Sequence, residues 1–90
     1  MTIKVHLHTT HLQFTGGREV IPVEGGCVGE CLDQLIRQFP DMKGELFSPK
    51  NKLLKSVEIL VNQTSAYPDE LGKPVQDGDD IHILVMLSGG

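Results

Sequence analysis

The residues at Leu87-Ser88-Gly89-Gly90 are the ones whose types and order suggest chemistry most directly. Neither glycine has a Cβ, so this segment can enter a narrow channel and adopt backbone angles closed to other residues. That makes the Gly90 carboxylate a deliverable reactive group. An α-carboxyl titrates at roughly 3.3 to 3.7, so at neutral pH it is ionised: a nucleophile toward the α-phosphate of ATP, and a poor electrophile until adenylated by another enzyme. Paired glycines also occur at frayed ends, so the residues before them must decide between the two readings.

Other side chains compete for a chemical role. His6, His8 and His11 lie close together, and two histidines two apart on a strand share a face, as a metal site requires. No Asp or Glu nearby completes a coordination sphere, so no metal is expected, and the histidines read as solvated or partner-facing. Cys27 and Cys31 have no second cysteine pair to make a zinc site and read as free thiols. Of the two, Cys31 falls on a buried stripe, whereas Cys27 opens a helix and is where a minor redox role would lie. Asp77, Asp79 and Asp80 resemble part of a calcium loop but lack its remaining ligands. No nucleophile-and-base set or paired carboxylates can be assembled, so no catalytic residue is assigned.

The chain has 90 residues, enough for one domain with a modest core over 1–90. A formal net charge of -4 and only four aromatic side chains, Phe14, Phe39, Phe47 and Tyr67, argue against nucleic acid as a partner. The start, Met1 to His6, has no secretory apolar stretch and no segment approaches the ~18 apolar residues of a membrane span. A cytoplasmic protein with no membrane partner is the expectation.

The elements that must position the tail follow from periodicity. Ile3, Val5 and Leu7 alternate with Lys4, His6 and His8, predicting a strand with one buried face. A turn over His11 to Gly17 leads to a second strand from Arg18 to Val23, with Pro22 placing it at a sheet edge. Val28, Leu32, Leu35, Ile36 and Phe39 fall at helical spacing, and Pro40 ends that helix. Cys27 stands where an N-cap Ser, Thr or Asp is expected. Asp41 to Leu54 reads as loop, anchored by a short helical turn near Leu46 and Phe47. Val57, Ile59 and Val61 mark a strand, Gln63 to Lys73 is polar, and Asp77-Gly78-Asp79 is a turn before a last strand with Ile81, Ile83, Val85 and Leu87 inward. One helix must then cover a small mixed sheet, and the crossover through it lets the first and last strands lie parallel in the middle. This is an α+β fold of the β-grasp, ubiquitin-like kind.

Leu60, His82, Leu84 and Met86 alternate away from the core in that arrangement, next to the tail, with His6 and His8 expected near His82. Apolar side chains clustered on a solvent face form a candidate partner-binding patch, and the histidines would tune it near neutral pH.

Thr15-Gly16-Gly17, Gly26-Cys27-Val28-Gly29-Glu30-Cys31-Leu32, Ile59-Leu60-Val61-Asn62 and, most specifically, Val75-Gln76-Asp77-Gly78-Asp79-Asp80-Ile81 followed by one strand and Gly89-Gly90 resemble the MoaD/ThiS family of sulfur carrier proteins across nearly the whole chain. The length, the Thr-Gly-Gly turn and the segment around Phe47-Ser48-Pro49 look closest to the CysO-like carriers. Two positions depart from the usual pattern: Val85-Met86-Leu87-Ser88 replaces a tail with proline and a small residue, and Cys27 replaces a threonine.

The resemblance implies a protein co-substrate, not an enzyme. An adenylyltransferase of the MoeB/ThiF kind would use ATP to adenylate Gly90, sulfide or a persulfide would displace AMP, and the thiocarboxylate would pass its sulfur to a downstream synthase in a cysteine, homocysteine, molybdopterin or thiamine pathway. Ser88 and Gly89 would thread the tail into each partner, and the carrier would bind no cofactor itself. A ubiquitin-like modifier conjugated to lysines through Gly90, or a small subunit of a molybdopterin-synthase-like sulfurtransferase, are the alternatives the same residues allow.

Overall fold

The computed structural model describes residues 2–86. Five strands form one sheet in the order β2-β1-β5-β3-β4, where β1 is Thr2–His6, β2 Val20–Glu24, β3 Val57–Val61, β4 Thr64–Ser65 and β5 Asp80–Val85. β1 and β5 are parallel neighbours, pairing Val5 with Ile81, and the other pairings are antiparallel. The β-grasp expected from the element order is the fold observed. Pro22 lies on the outermost strand β2, where an absent N–H removes nothing from the ladder.

Alternation decides which face is inside. Ile3, Val5, Ile21, Val23, Ile59, Ile81 and Ile83 are buried against Val28, Cys31, Leu32 and Leu35 of helix α1, Val28–Gln38. Ile36 and Phe39, at the margin of the helical stripe, are half-buried and pack on that core. Cys27 caps α1 without a side-chain hydrogen bond. The orphan donors of the first turn are met by tertiary partners instead: Val28 N–H donates to the Lys73 carbonyl at 2.9 Å and Gly29 N–H to that of Leu71 at 2.8 Å. A Cβ on Gly29 would stand 3.0 Å from the Leu71 carbonyl oxygen, so glycine permits this close approach.

Several boundaries differ from the sequence reading. The first connection is a 3-10 helix over Thr9–Phe14 before Gly16 and Gly17 turn at φ 65° and 86°, and β2 starts at Val20 instead of Arg18. The anchoring turn is helix α2, Lys43–Leu46, preceded by a 3-10 turn at Pro40–Met42. β4 arises inside the supposedly polar segment because Asn62 and Gln63 both take positive φ, 50° and 71°, the geometry that reverses a tight hairpin. Leu87, placed in the last strand by its alternation, lies outside the described residues, as do Ser88, Gly89 and Gly90.

Candidate functional site

β5 is the element that carries the tail, and its start is tied at many points. Thr2 N–H donates to Asp77 Oδ1 at 2.7 Å and Gly78 N–H to the Thr2 carbonyl at 2.9 Å. Gln76 N–H donates to Asp79 Oδ2 at 2.8 Å and Asn62 Nδ2 to Asp79 Oδ1 at 2.9 Å, while Asp80 N–H returns to Asn62 Oδ1 at 3.0 Å. The Asn62 hydrogen bond, then that from Gln76, holds the Asp79 carboxyl below its ordinary value. A clasp thus joins the β3–β4 turn to the turn entering β5. Gly78, with φ 87°, supplies the left-handed residue this turn needs.

The other end of β5 is presented. Met86 N–H donates to the Ser56 carbonyl at 2.6 Å, and its side chain is 46% exposed. On the sheet face away from α1, Leu84 is exposed beside Glu58, and Leu60 stands opposite His82. Leu60 and His82 are half-buried, and Leu84 and Met86 are the exposed apolar side chains among the four residues of the expected patch. Met86 also borders a groove of about 620 Å³ lined by Leu53, Leu54, Val57 and Tyr67, a feature that strand alternation does not signal.

The histidines divide. His6 and His82 stack with ring centroids 4.2 Å apart and planes 8° from parallel, and His6 Nε2–H donates to Asp80 Oδ1 at 2.8 Å. That hydrogen bond is the main cause holding the Asp80 carboxyl below its ordinary value. Burial, followed by the neighbouring His6, lowers the pKa of His82, which favours its neutral ring in the stack. His8 does not join them. β1 ends at His6, and His8 instead caps the following 3-10 helix, its Nδ1 accepting from Thr10 N–H at 3.2 Å. His11 is not solvated either: it is 2% exposed, and burial lowers its pKa. Nδ1 of both His11 and His82 is buried with no hydrogen-bond partner among the described residues.

Cys27 and Cys31 are free thiols, and burial pushes the Cys31 pKa up to about 11, leaving it inert as a nucleophile. Among the described residues no group of three or more His, Cys, Asp or Glu side chains is placed to hold a metal, and no helix is long and apolar enough to cross a membrane.

The five-stranded mixed sheet packed on one main helix is a ubiquitin-like β-grasp. The chain belongs to the ThiS family, whose model matches residues 5–90. Its fold superposes on a chain of the Amycolatopsis orientalis BexX/CysO complex with a TM-score of 0.87 at 27% identity, covering 98% of this chain and 99% of that one. Mycobacterium tuberculosis CysO gives 0.86 at 25% identity over 94% of this chain and 99% of that one. The small archaeal modifier protein 1 from Methanosarcina acetivorans gives 0.86 at 27%, over 99% and 96%. No curated protein matches the chain in sequence.

Proposed function

We propose that this protein is a sulfur carrier whose Gly90 carboxylate is adenylated and then converted to a thiocarboxylate. The observation that carries the reading is the exposed end of β5 at Met86, beside Leu84 and leading into Leu87-Ser88-Gly89-Gly90, in a member of the ThiS family. A carboxylate oxygen of Gly90 attacks the α-phosphate of ATP and pyrophosphate leaves. Sulfide then attacks the acyl carbon and AMP leaves, so the carboxyl exchanges one oxygen for sulfur. ATP belongs to the activating adenylyltransferase, and the chain acts as co-substrate in the cytoplasm. The two glycines let the tail reach a buried active site, while Leu60, His82, Leu84 and Met86 dock the domain. The recipient is a sulfur-accepting synthase, and likeness to CysO chains, one of them in a BexX/CysO complex, favours a protein partner over a free small-molecule acceptor.

The likeness to a small archaeal modifier protein supports a second reading, conjugation to lysines through the same carboxylate. Both begin with adenylation and separate at the second step. Pyrophosphate release by a cognate activating enzyme should require this chain and disappear when Gly90 is deleted. Subsequent sulfide-dependent release of AMP with no reductant-resistant conjugates supports the carrier, whereas conjugates of higher mass formed without sulfide would overturn it.

A further inference from the structure

Charge is distributed unevenly along this acidic chain. Between Arg37 and Lys55 there are five basic side chains, Arg37, Lys43, Lys50, Lys52 and Lys55, against two acidic ones, Asp41 and Glu45; the remainder has three basic and ten acidic. The basic segment borders a groove of about 500 Å³ on the solvent side of α1, on the opposite side of the sheet from Leu84 and His82. Ile36, Phe47 and Leu71, all half-buried, form its apolar floor. Exposed Arg37 and Lys43 stand over it with one carboxylate, Asp33.

The walls are built in advance. Gly29 N–H holds Leu71 against α1 at 2.8 Å, and Phe47 pairs with Leu53 across a tight loop in which Ser48 N–H donates to the Lys52 carbonyl at 2.8 Å. Ser48 Oγ accepts from the N–H groups of Lys50 and Lys52, and Asn51 takes φ 62° to close the turn. An ordered loop that brings Phe47 and Asn51 to the groove loses little entropy on binding.

From this we propose that the α1 groove docks an acidic segment of a partner protein, with one apolar side chain seated on Ile36, Phe47 and Leu71 and carboxylates facing Arg37 and Lys43. Charge complementarity selects this occupant: the basic segment is the only stretch of the chain with a marked positive excess, and the acidic remainder repels a nucleic acid backbone. Because the groove and the Leu84–His82 face lie on opposite sides of the sheet, the domain can hold this partner while that face is occupied. The proposal goes beyond the carrier reading and is testable on a chain lacking Gly90, so the two can fail separately.

The probe is a short N-acetylated peptide of Asp and Glu around one Leu and one Phe, titrated into the isotope-labelled protein at low salt. Saturable amide shifts are expected at Ile36, Arg37, Phe47 and Leu71. Combined Arg37→Gln and Lys43→Gln should weaken binding about tenfold, as loss of two exposed ion pairs implies, whereas Lys4→Gln on the opposite sheet face should change nothing. Replacing the peptide's Leu and Phe by Ser should weaken it as well. Should the double variant misfold, Lys43→Gln alone decides. Shifts centred on His82 and Leu84, lack of saturation, equal binding by the groove variants, or equal affinity for an oligouridylate of the same charge would each overturn the proposal.

Discussion

The two ends of β5 are held in opposite ways. At its start, Asp77, Gly78, Asp79 and Asp80 engage β1, the β3–β4 turn and their own loop through backbone and side-chain bonds. At its end, Met86 keeps one backbone bond to Ser56 and leaves its side chain nearly half exposed. The contrast is one of anchorage: the base of the strand is tied to β1 and to the β3–β4 turn by side-chain and backbone bonds, whereas at Met86 a single backbone bond to Ser56 accompanies an exposed side chain. Firm anchorage and exposure thus belong to one strand, separated along its length.

Substitutions along β5 should grade accordingly. Ile83→Ala, at a fully enclosed position opposite Ile59 of β3, should cost on the order of 2 to 5 kcal/mol in denaturant unfolding. Gly78→Ala meets no atom within 4 Å and so carries only the penalty of a positive φ, about 1 kcal/mol by the same measurement. Leu84→Ser or Met86→Asp, near the exposed end, should change stability by no more than about 0.5 kcal/mol, while weakening association with the activating enzyme in a titration. A Met86→Asp protein that loses as much stability as Gly78→Ala would erase the distinction between the two ends.

Acid should act on the strand in two stages, at His82 in its middle and then at Asp79 and Asp80 at its base. Asp79 and Asp80 have folded pKa values below 3.8, so the stability they contribute is present above 3.8 and is lost as pH falls through those lower values. Buried His11 and the stacked His82, both lowered from 6.5, act at milder acidity: below 6.5 the unfolded chain binds protons that the folded chain resists, so stability declines from there downward. Asn62→Gly tolerates the positive φ but removes the amide, and should bring the Asp79 carboxyl back toward 3.8 in an NMR titration without altering the His82 titration.

The sheet and α1 were legible because their patterns are local: alternation in β1, β3 and β5, and a helical stripe from Val28 to Phe39. The clasp was not, since Asn62 and Asp79 meet from opposite ends of an intervening loop and neither carries a local sign of the other. Alternation also extended β1 too far. It placed His8 beside His82, but the chain leaves the sheet after His6 and turns into a 3-10 helix that buries His11. Cys27 read as a weak helix start because the carbonyls of Leu71 and Lys73, which satisfy the first turn, arrive from more than forty residues away. The apolar surface at Leu84 and Met86 was readable from β5 alone, whereas the groove under Met86 needs Leu53, Leu54 and Tyr67 from two other segments.

The central claim is that the open end of β5 delivers Gly90 for sulfur loading, and intact-protein mass spectrometry after incubation with the cognate activating enzyme, ATP and sulfide tests it most directly. The parent should gain the mass of one oxygen-to-sulfur exchange, located at Gly90 by fragmentation. Gly89→Val, which narrows the allowed backbone angles and fills the channel, should remain unmodified while unfolding like the parent. A parent chain that never acquires sulfur but forms lysine conjugates, or a Gly89→Val chain loaded at the parent's rate, would contradict the account.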